Sequence, residues 1–180
     1  MMRRILQRIG LIFLAAVCFA ASVFAGEVEL LEIGKSKIAA FCRKHENKEW
    51  DAVPVRKTVS DAENFTFSGT GRCTLSLIVA QKLRDGVKRE LRYVIAYDGD
   101  SQPKVEVMLS FSNDKEAGLY SSFILQKGEH EYTFKPAHYK RGGYSLDFVN
   151  LNGVAFTVPA EKIGAGTFSL RRVYVREGEQ

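Results

Sequence analysis

The sequence predicts an all-β domain built as an antiparallel β-sandwich, and three observations carry that prediction. From Arg72 onward, short segments alternate apolar and polar residues, as "RELRYVIAYD" (89–98) and "KVEVMLSFS" (104–112) do. Turn signals separate them, at Asp85-Gly86, Asp98-Gly99, Lys127-Gly128, Gly142-Gly143, Asn152-Gly153 and Gly164-Ala165-Gly166. Hardly any helical spacing follows residue 65. A period of two buries one face of a strand and wets the other, and many such strands joined by tight turns pack as two antiparallel sheets.

The first 25 residues stand apart from this pattern. Arg3, Arg4 and Arg8 form a positive segment without an acid, Ile9 to Ala20 form an apolar core, and Val23 and Ala25 place small or apolar residues before Gly26. This is the anatomy of a secretory signal peptide, with cleavage expected after Ala25. The apolar run is too short for a membrane span of about 20 residues, and Glu27 and Glu29 follow closely. Val17 stands where a lipoprotein signal needs a small residue before Cys18, so no lipid or transmembrane anchor is expected. Residues 26–180 then form a single domain, periplasmic or secreted.

Removal of that segment changes the charge. The whole chain carries a formal +5 from 26 Lys+Arg and 21 Asp+Glu; without Arg3, Arg4 and Arg8 the balance is 23 against 21, or +2. Bulk charge therefore gives no reason to expect a nucleic-acid partner. Cys18 also leaves, and Cys42 and Cys73 remain. An even pair in an exported chain reads as a disulfide. It would constrain the unfolded chain by roughly 3–4 kcal/mol on the entropic model. Cys42 and His45 supply only half of a metal site, so no metal is expected.

Residues 27–61 are ambiguous, because "SKIAAFCRKHENKEW" suits two turns of helix or a poorly alternating strand. "WDAVPV" is expected to begin the sheet proper. Beyond it, strands are expected in "RCTLSLIVAQK", "RELRYVIAYD", "KVEVMLSFS", "LYSSFIL", "HEYTFK", "YSLDFVN", "GVAFTV" and "FSLRRVYVR". Leu91, Tyr93, Ile95 and Tyr97 share one face of the second, and Val105, Val107, Leu109 and Phe111 one face of the third. In the last, the alternation slips at Arg171-Arg172, which predicts a β-bulge.

No catalytic signature survives inspection. "HENKE" and "HEYTF" put Glu49 and Phe134 where a zinc-protease helix needs its second His. "GYSLD" lacks the closing Gly of a nucleophile elbow, and neither "GTGRCT" nor "GAGTFS" completes a dinucleotide loop. No catalytic residue and no cofactor are expected. Asp98 and Asp100 in "YDGDSQP" offer two carboxylates to a calcium ion, but the surrounding residues suit an Asp-Gly turn better. Two basic hairpins remain. "QKLRDGVKRELR" (81–92) suits a charged strand edge. "KPAHYKRGGY" (135–144) sets His138, Tyr139, Lys140, Arg141 and Tyr144 around a glycine turn, and these five are the candidate binding residues. A ring beside a guanidinium suits a sugar face or an anionic group.

Two resemblances follow from these residues. The signal, "EW" at 49–50 and "CTLSL" at 73–77, ahead of an all-β chain, resemble the invasion-associated locus B family of small exported bacterial proteins over about the first third of the mature domain. The run from Leu91 to Val175 resembles the galactose-binding-like jelly rolls of carbohydrate-binding modules. Together they imply a non-catalytic jelly-roll-like protein of the cell envelope. Its first expected partner is an envelope protein or anionic surface. The alternative is a glycan, with the chain acting as a carbohydrate-binding module, and a hydrolase using unrecognised loop residues comes last.

Overall fold

The computed structural model describes residues 26–42, 53–83, 89–112, 119–136 and 148–177. Among these residues, eleven strands lie in two antiparallel sheets: β1 (Glu27–Glu29), β2 (Ile38–Cys42), β3 (Val53–Val59), β4 (Ala62–Ser68), β5 (Arg72–Ile78), β6 (Arg89–Tyr97), β7 (Lys104–Phe111), β8 (Leu119–Ile124), β9 (Gly128–Thr133), β10 (Leu151–Pro159) and β11 (Phe168–Glu177). One short helix, α1 (Ala160–Ile163), links β10 to β11. Among the described residues no helix is long and apolar enough to cross a membrane.

One sheet has the order β3-β4-β11-β6-β9, with β1 also on β11, and the other β2-β5-β10-β7-β8. β1 takes the far half of β11 (Glu29 opposite Tyr174), whereas β4 takes the near half (Phe65 opposite Phe168). The two sheets meet through the inward phase of their central strands. Leu91, Tyr93 and Ile95 of β6 and Phe168, Leu170, Val173 and Val175 of β11 are fully buried against Leu75 and Leu77 of β5, Val107 of β7 and Phe156 of β10. Phe156 meets Tyr93 edge-on, with ring centroids 5.3 Å apart. Burying side chains of this size is worth about 1.5–3 kcal/mol each, so this layer holds the sandwich together.

The predicted bulge is present. β11 pairs Leu170 with Ile95 and then Arg172 with Val94, leaving Arg171 as the extra residue. Arg171 points outward and ties both flanks of the sheet, pairing with Asp61 beyond β3 and with Glu129 of β9 at 2.7 Å. In two places the strand expectation needs correction: the sheets begin before "WDAVPV", with β1 paired to β11 and β2 to β5. "YSLDFVN" ends in a turn: Phe148 has φ 58°, Val149 and Asn150 reverse the chain, and Leu151 N–H bonds Phe148 O. A buried Phe in the left-handed region cannot continue a strand; residues 144–147 lie outside the described set.

The Asp98-Gly99 turn joins β6 to β7 as expected, and its glycine has a steric cause. A Cβ on Gly99 would sit 2.1 Å from the Tyr97 hydroxyl oxygen, and one on Gly166 would sit 2.8 Å from the Tyr97 ring. The two glycines let two loops close over a buried tyrosine. Asp98 Oδ1 accepts the Thr167 N–H at 2.5 Å, and Asp100 pairs with Lys127 at 2.5 Å. Both carboxylates thus fasten loops.

Candidate functional site

The pairing register fixes what the five-stranded sheet shows on its outer face. Phe41 of β2 lies opposite Thr74 of β5, Thr74 opposite Thr157 of β10, and Thr157 opposite Glu106 of β7. One step along, Ala39, Ser76, Ala155, Met108 and Tyr120 form the next row across β2, β5, β10, β7 and β8. The row after it brings Ile78, Gly153 and Ser110 together. Side chains on the three middle strands are therefore mostly small, and the larger ones stand toward the margins. The edge strands lie four strand spacings apart, or about 19 Å. The result is a trough.

Gly153 deepens its floor. A Cβ there would lie 2.5 Å from Ser110 Oγ, so a larger residue would have to turn that hydroxyl aside and would fill the floor. The floor is hydroxylated, with Thr74 Oγ1 and Thr157 Oγ1 3.1 Å apart. At one end, Arg72 Nη2 reaches over β10 to Glu106 Oε1 at 2.8 Å. Both side chains remain about half exposed, at 49% and 40%. Such a pair is worth about 1 kcal/mol or less, so a ligand opens it easily. Its unused guanidinium donors and carboxylate lone pairs suit neighbouring hydroxyl groups.

The margins are apolar. Phe41 is 50% exposed and Tyr120 58%. Of six large hydrophobic residues exposed among the described ones, four (Phe41, Ile78, Tyr120 and Ile124) stand on this face. A cleft of about 250 Å³ lies between Phe41, Arg72, Thr74, Glu106, Met108, Tyr120 and Thr157. Isolated exposed hydrophobics are ordinary on protein surfaces, but a cluster on one face marks a contact surface. Rings beside a hydroxylated, charge-tipped floor can stack on the C–H face of a sugar while bonding its hydroxyls.

His138, Tyr139, Lys140, Arg141 and Tyr144 lie outside the described residues. Cys42 and Cys73 are brought together: they are direct partners across β2 and β5, with sulfurs 2.7 Å apart. Burial, and then the neighbouring Cys42 thiol, push the Cys73 thiol up to about 12. Sequence reasoning missed the trough. One signal was available in "LYSSFI", where Tyr120 sits in phase with Ser122 and out of phase with buried Leu119. An aromatic in the wet phase of a strand faces solvent, a ligand or side chains of the same face that cover it.

No family model matches the chain, and no curated protein sequence matches it. Solved structures do resemble it. The family 11 carbohydrate-binding module from Clostridium thermocellum, in complex with a β-1,3-1,4-mixed-linked tetrasaccharide, superposes with a TM-score of 0.60 at 12% identity, over 86% of this chain and 98% of that one. The chain shares the fold of that module. The xylan-binding module CBM15 gives 0.55 at 12% identity, over 86% and 97%. The agarase AgWH50C gives 0.58 at 5% identity over 86% of this chain, which matches only 25% of the agarase. The jelly-roll-like sandwich expected from the strand run is thus the observed architecture.

Proposed function

We propose that the chain is an exported, non-catalytic glycan-binding module that holds a polysaccharide in the trough of the five-stranded sheet. The observation that carries this reading is the pairing of exposed Phe41 and Tyr120 with a floor of threonine hydroxyls and the Arg72–Glu106 pair. The glycan ligands named for the family 11 and xylan-binding modules support it. They favour a glycan over the protein or anionic-surface partner that the sequence put first. At the trough, moreover, the Arg72 guanidinium is already paired with the Glu106 carboxylate, which weakens the case for an acidic surface.

Native affinity electrophoresis through gels containing mixed-linkage β-glucan, xylan or agarose tests the reading. Retardation by at least one polysaccharide is expected, with release of no reducing ends. Phe41→Ala and Tyr120→Ala should each weaken that retardation about tenfold, since truncating an aromatic anchor costs roughly 1–2 kcal/mol. Absence of retardation in every gel, or full retardation of both variants, would reject it. Export is tested separately, by N-terminal sequencing of protein from its native host, expected to begin at Gly26.

A further inference from the structure

We propose that Cys42 and Cys73 form a redox staple that decides whether β2 presents Phe41 to the trough; the binding consequence rests on the glycan reading above, the staple itself does not. β2 is the weakest wall of the site. It has five residues, lies at the sheet edge and, among the described strands, pairs with β5 alone. Ala39, Ala40 and Phe41 are exposed, and Ile38 and Cys42 are only half-buried. One ladder and two half-buried side chains are little to set against the entropy of ordering an edge strand. The neighbour of Phe41 is nonetheless Cys42, directly opposite Cys73. Cys73 is fully buried in β5, inside the core. A bond between sulfurs that stand 2.7 Å apart would fasten the loose strand to a fixed one.

The chemistry needs a disulfide oxidant, RSSR, such as a thiol–disulfide exchange protein or glutathione disulfide. The Cys42 thiolate attacks one sulfur of RSSR and expels RS⁻, giving a mixed disulfide. The Cys73 sulfur then displaces the second RS⁻ from Cys42 Sγ. Two cysteine thiols lose two protons and two electrons, and RSSR gains them as two RSH. Reduction reverses both steps and leaves β2 held by its ladder to β5, the packing of Ile38 and Cys42 on the core and its contact with β3. The fraction of molecules with Phe41 in place then falls, and apparent affinity falls by the same fraction.

The full chain, oxidised with glutathione disulfide or reduced with a phosphine, is compared by hydrogen–deuterium exchange and by retardation in the polysaccharide gels. Oxidation should yield a cross-linked Cys42–Cys73 peptide two hydrogens lighter than the sum of the two reduced peptides, whatever the state of Cys18. Reduction should speed exchange at the amides of Ile38–Cys42 while leaving β6 and β10 unchanged, and should weaken retardation about tenfold if β2 is ordered in roughly one molecule in ten. Cys42→Ser, at a half-buried site and mild for folding, should match the reduced protein even under oxidant. Absence of that cross-linked peptide, equal exchange at β2 in both states, or faster exchange throughout the domain would overturn the staple. A Cys42→Ser variant that binds as the oxidised chain does would also overturn it. Faster β2 exchange on reduction in a protein that no gel retards keeps the staple and removes the glycan reading.

Discussion

Tyr174 and Tyr120 both point outward from strands of the same sandwich, yet one is completely buried and the other 58% exposed. Tyr174 is covered on the six-stranded sheet by the Arg172 guanidinium, 4.1 Å from its ring centre, and by that of Arg176, at 5.7 Å. Glu27 holds both arginines, Glu29 holds Arg172, and the tyrosine hydroxyl donates to Glu131, which also pairs with Arg92. Each of these side chains has a charged or hydrogen-bonding partner within the fold, and Glu29 Oε1 is the one buried oxygen of the lattice left without one among the described residues. Around Tyr120 the neighbours are Met108, Ser122 and the open cleft. An outward aromatic is therefore no site in itself; what matters is whether the chain caps it. β1 supplies the glutamates that cap the six-stranded face, and nothing equivalent is described over the five-stranded one.

The largest effect is expected from Tyr174→Ala. Removing a buried ring, its stacked guanidinium and its bond to Glu131 should cost about 3 kcal/mol in urea denaturation, with unchanged polysaccharide retardation once folded. Reduced retardation with intact stability would mean that the six-stranded face also binds.

Next comes Glu63, buried in β4 beneath the loop that leads from β1 to β2. Its carboxylate accepts from Gly34 N–H at 2.7 Å, Arg56 Nε at 2.8 Å and Thr58 Oγ1 at 2.7 Å. Burial alone would raise its pKa, but Arg56, the Gly34 amide and Thr58 overcome that and hold it at about 2, against an ordinary 4.5. Its stabilisation is full above pH 4.5 and is lost as pH falls from there through about 2. Up to about 3 kcal/mol is at stake. Glu63→Gln should lower stability at neutral pH and flatten the loss between pH 4.5 and 2. A variant with the parent's acid profile would remove Glu63 from the account.

A smaller change sharpens the contrast between the faces. Arg172→Gln uncovers Tyr174 and takes one cation from Glu27 and Glu29; a loss of about 1–2 kcal/mol is expected. Should the uncovered ring bring no polysaccharide retardation, the trough and not the aromatic makes the site. The smallest effect on stability belongs to Tyr120→Ala, below about 0.5 kcal/mol. A thermal shift comparable with that of Tyr174→Ala would show that Tyr120 is packed in solution.

The sequence revealed most of the sandwich because its central strands are buried on one side only. From Leu91 to Tyr97 in β6 and from Val105 to Leu109 in β7 every second residue is apolar and buried, and the alternation shows without a structure. The edge strands were less legible for the opposite reason: β2, "IAAFC", buries too little to impose a period of two, and of β3, "VPVRKTV", only the start within "WDAVPV" was expected. The site was hidden at another level. Thr74, Thr157 and Glu106 lie far apart in the chain, and only the register aligns them. A pattern within one strand cannot reveal a row that crosses five. The cysteine pair was legible because the count of cysteines, not their spacing, identified it.

The bulge at Arg171 has one further consequence. Struck from β11, the remaining letters "FSLRVYVR" alternate without a fault, with Phe168, Leu170, Val173 and Val175 still inward and Arg172, Tyr174 and Arg176 still outward. Arg171 is thus an inserted character that the sheet reads without losing its frame, and it falls where the opposite edge of β11 passes from β4 to β1. Deleting Val173 or Tyr174 instead would shift the frame of everything after it and turn charged residues toward the core. Within ten residues, the same one-letter deletion is a loss of two surface ion pairs in one place and the loss of the fold in another.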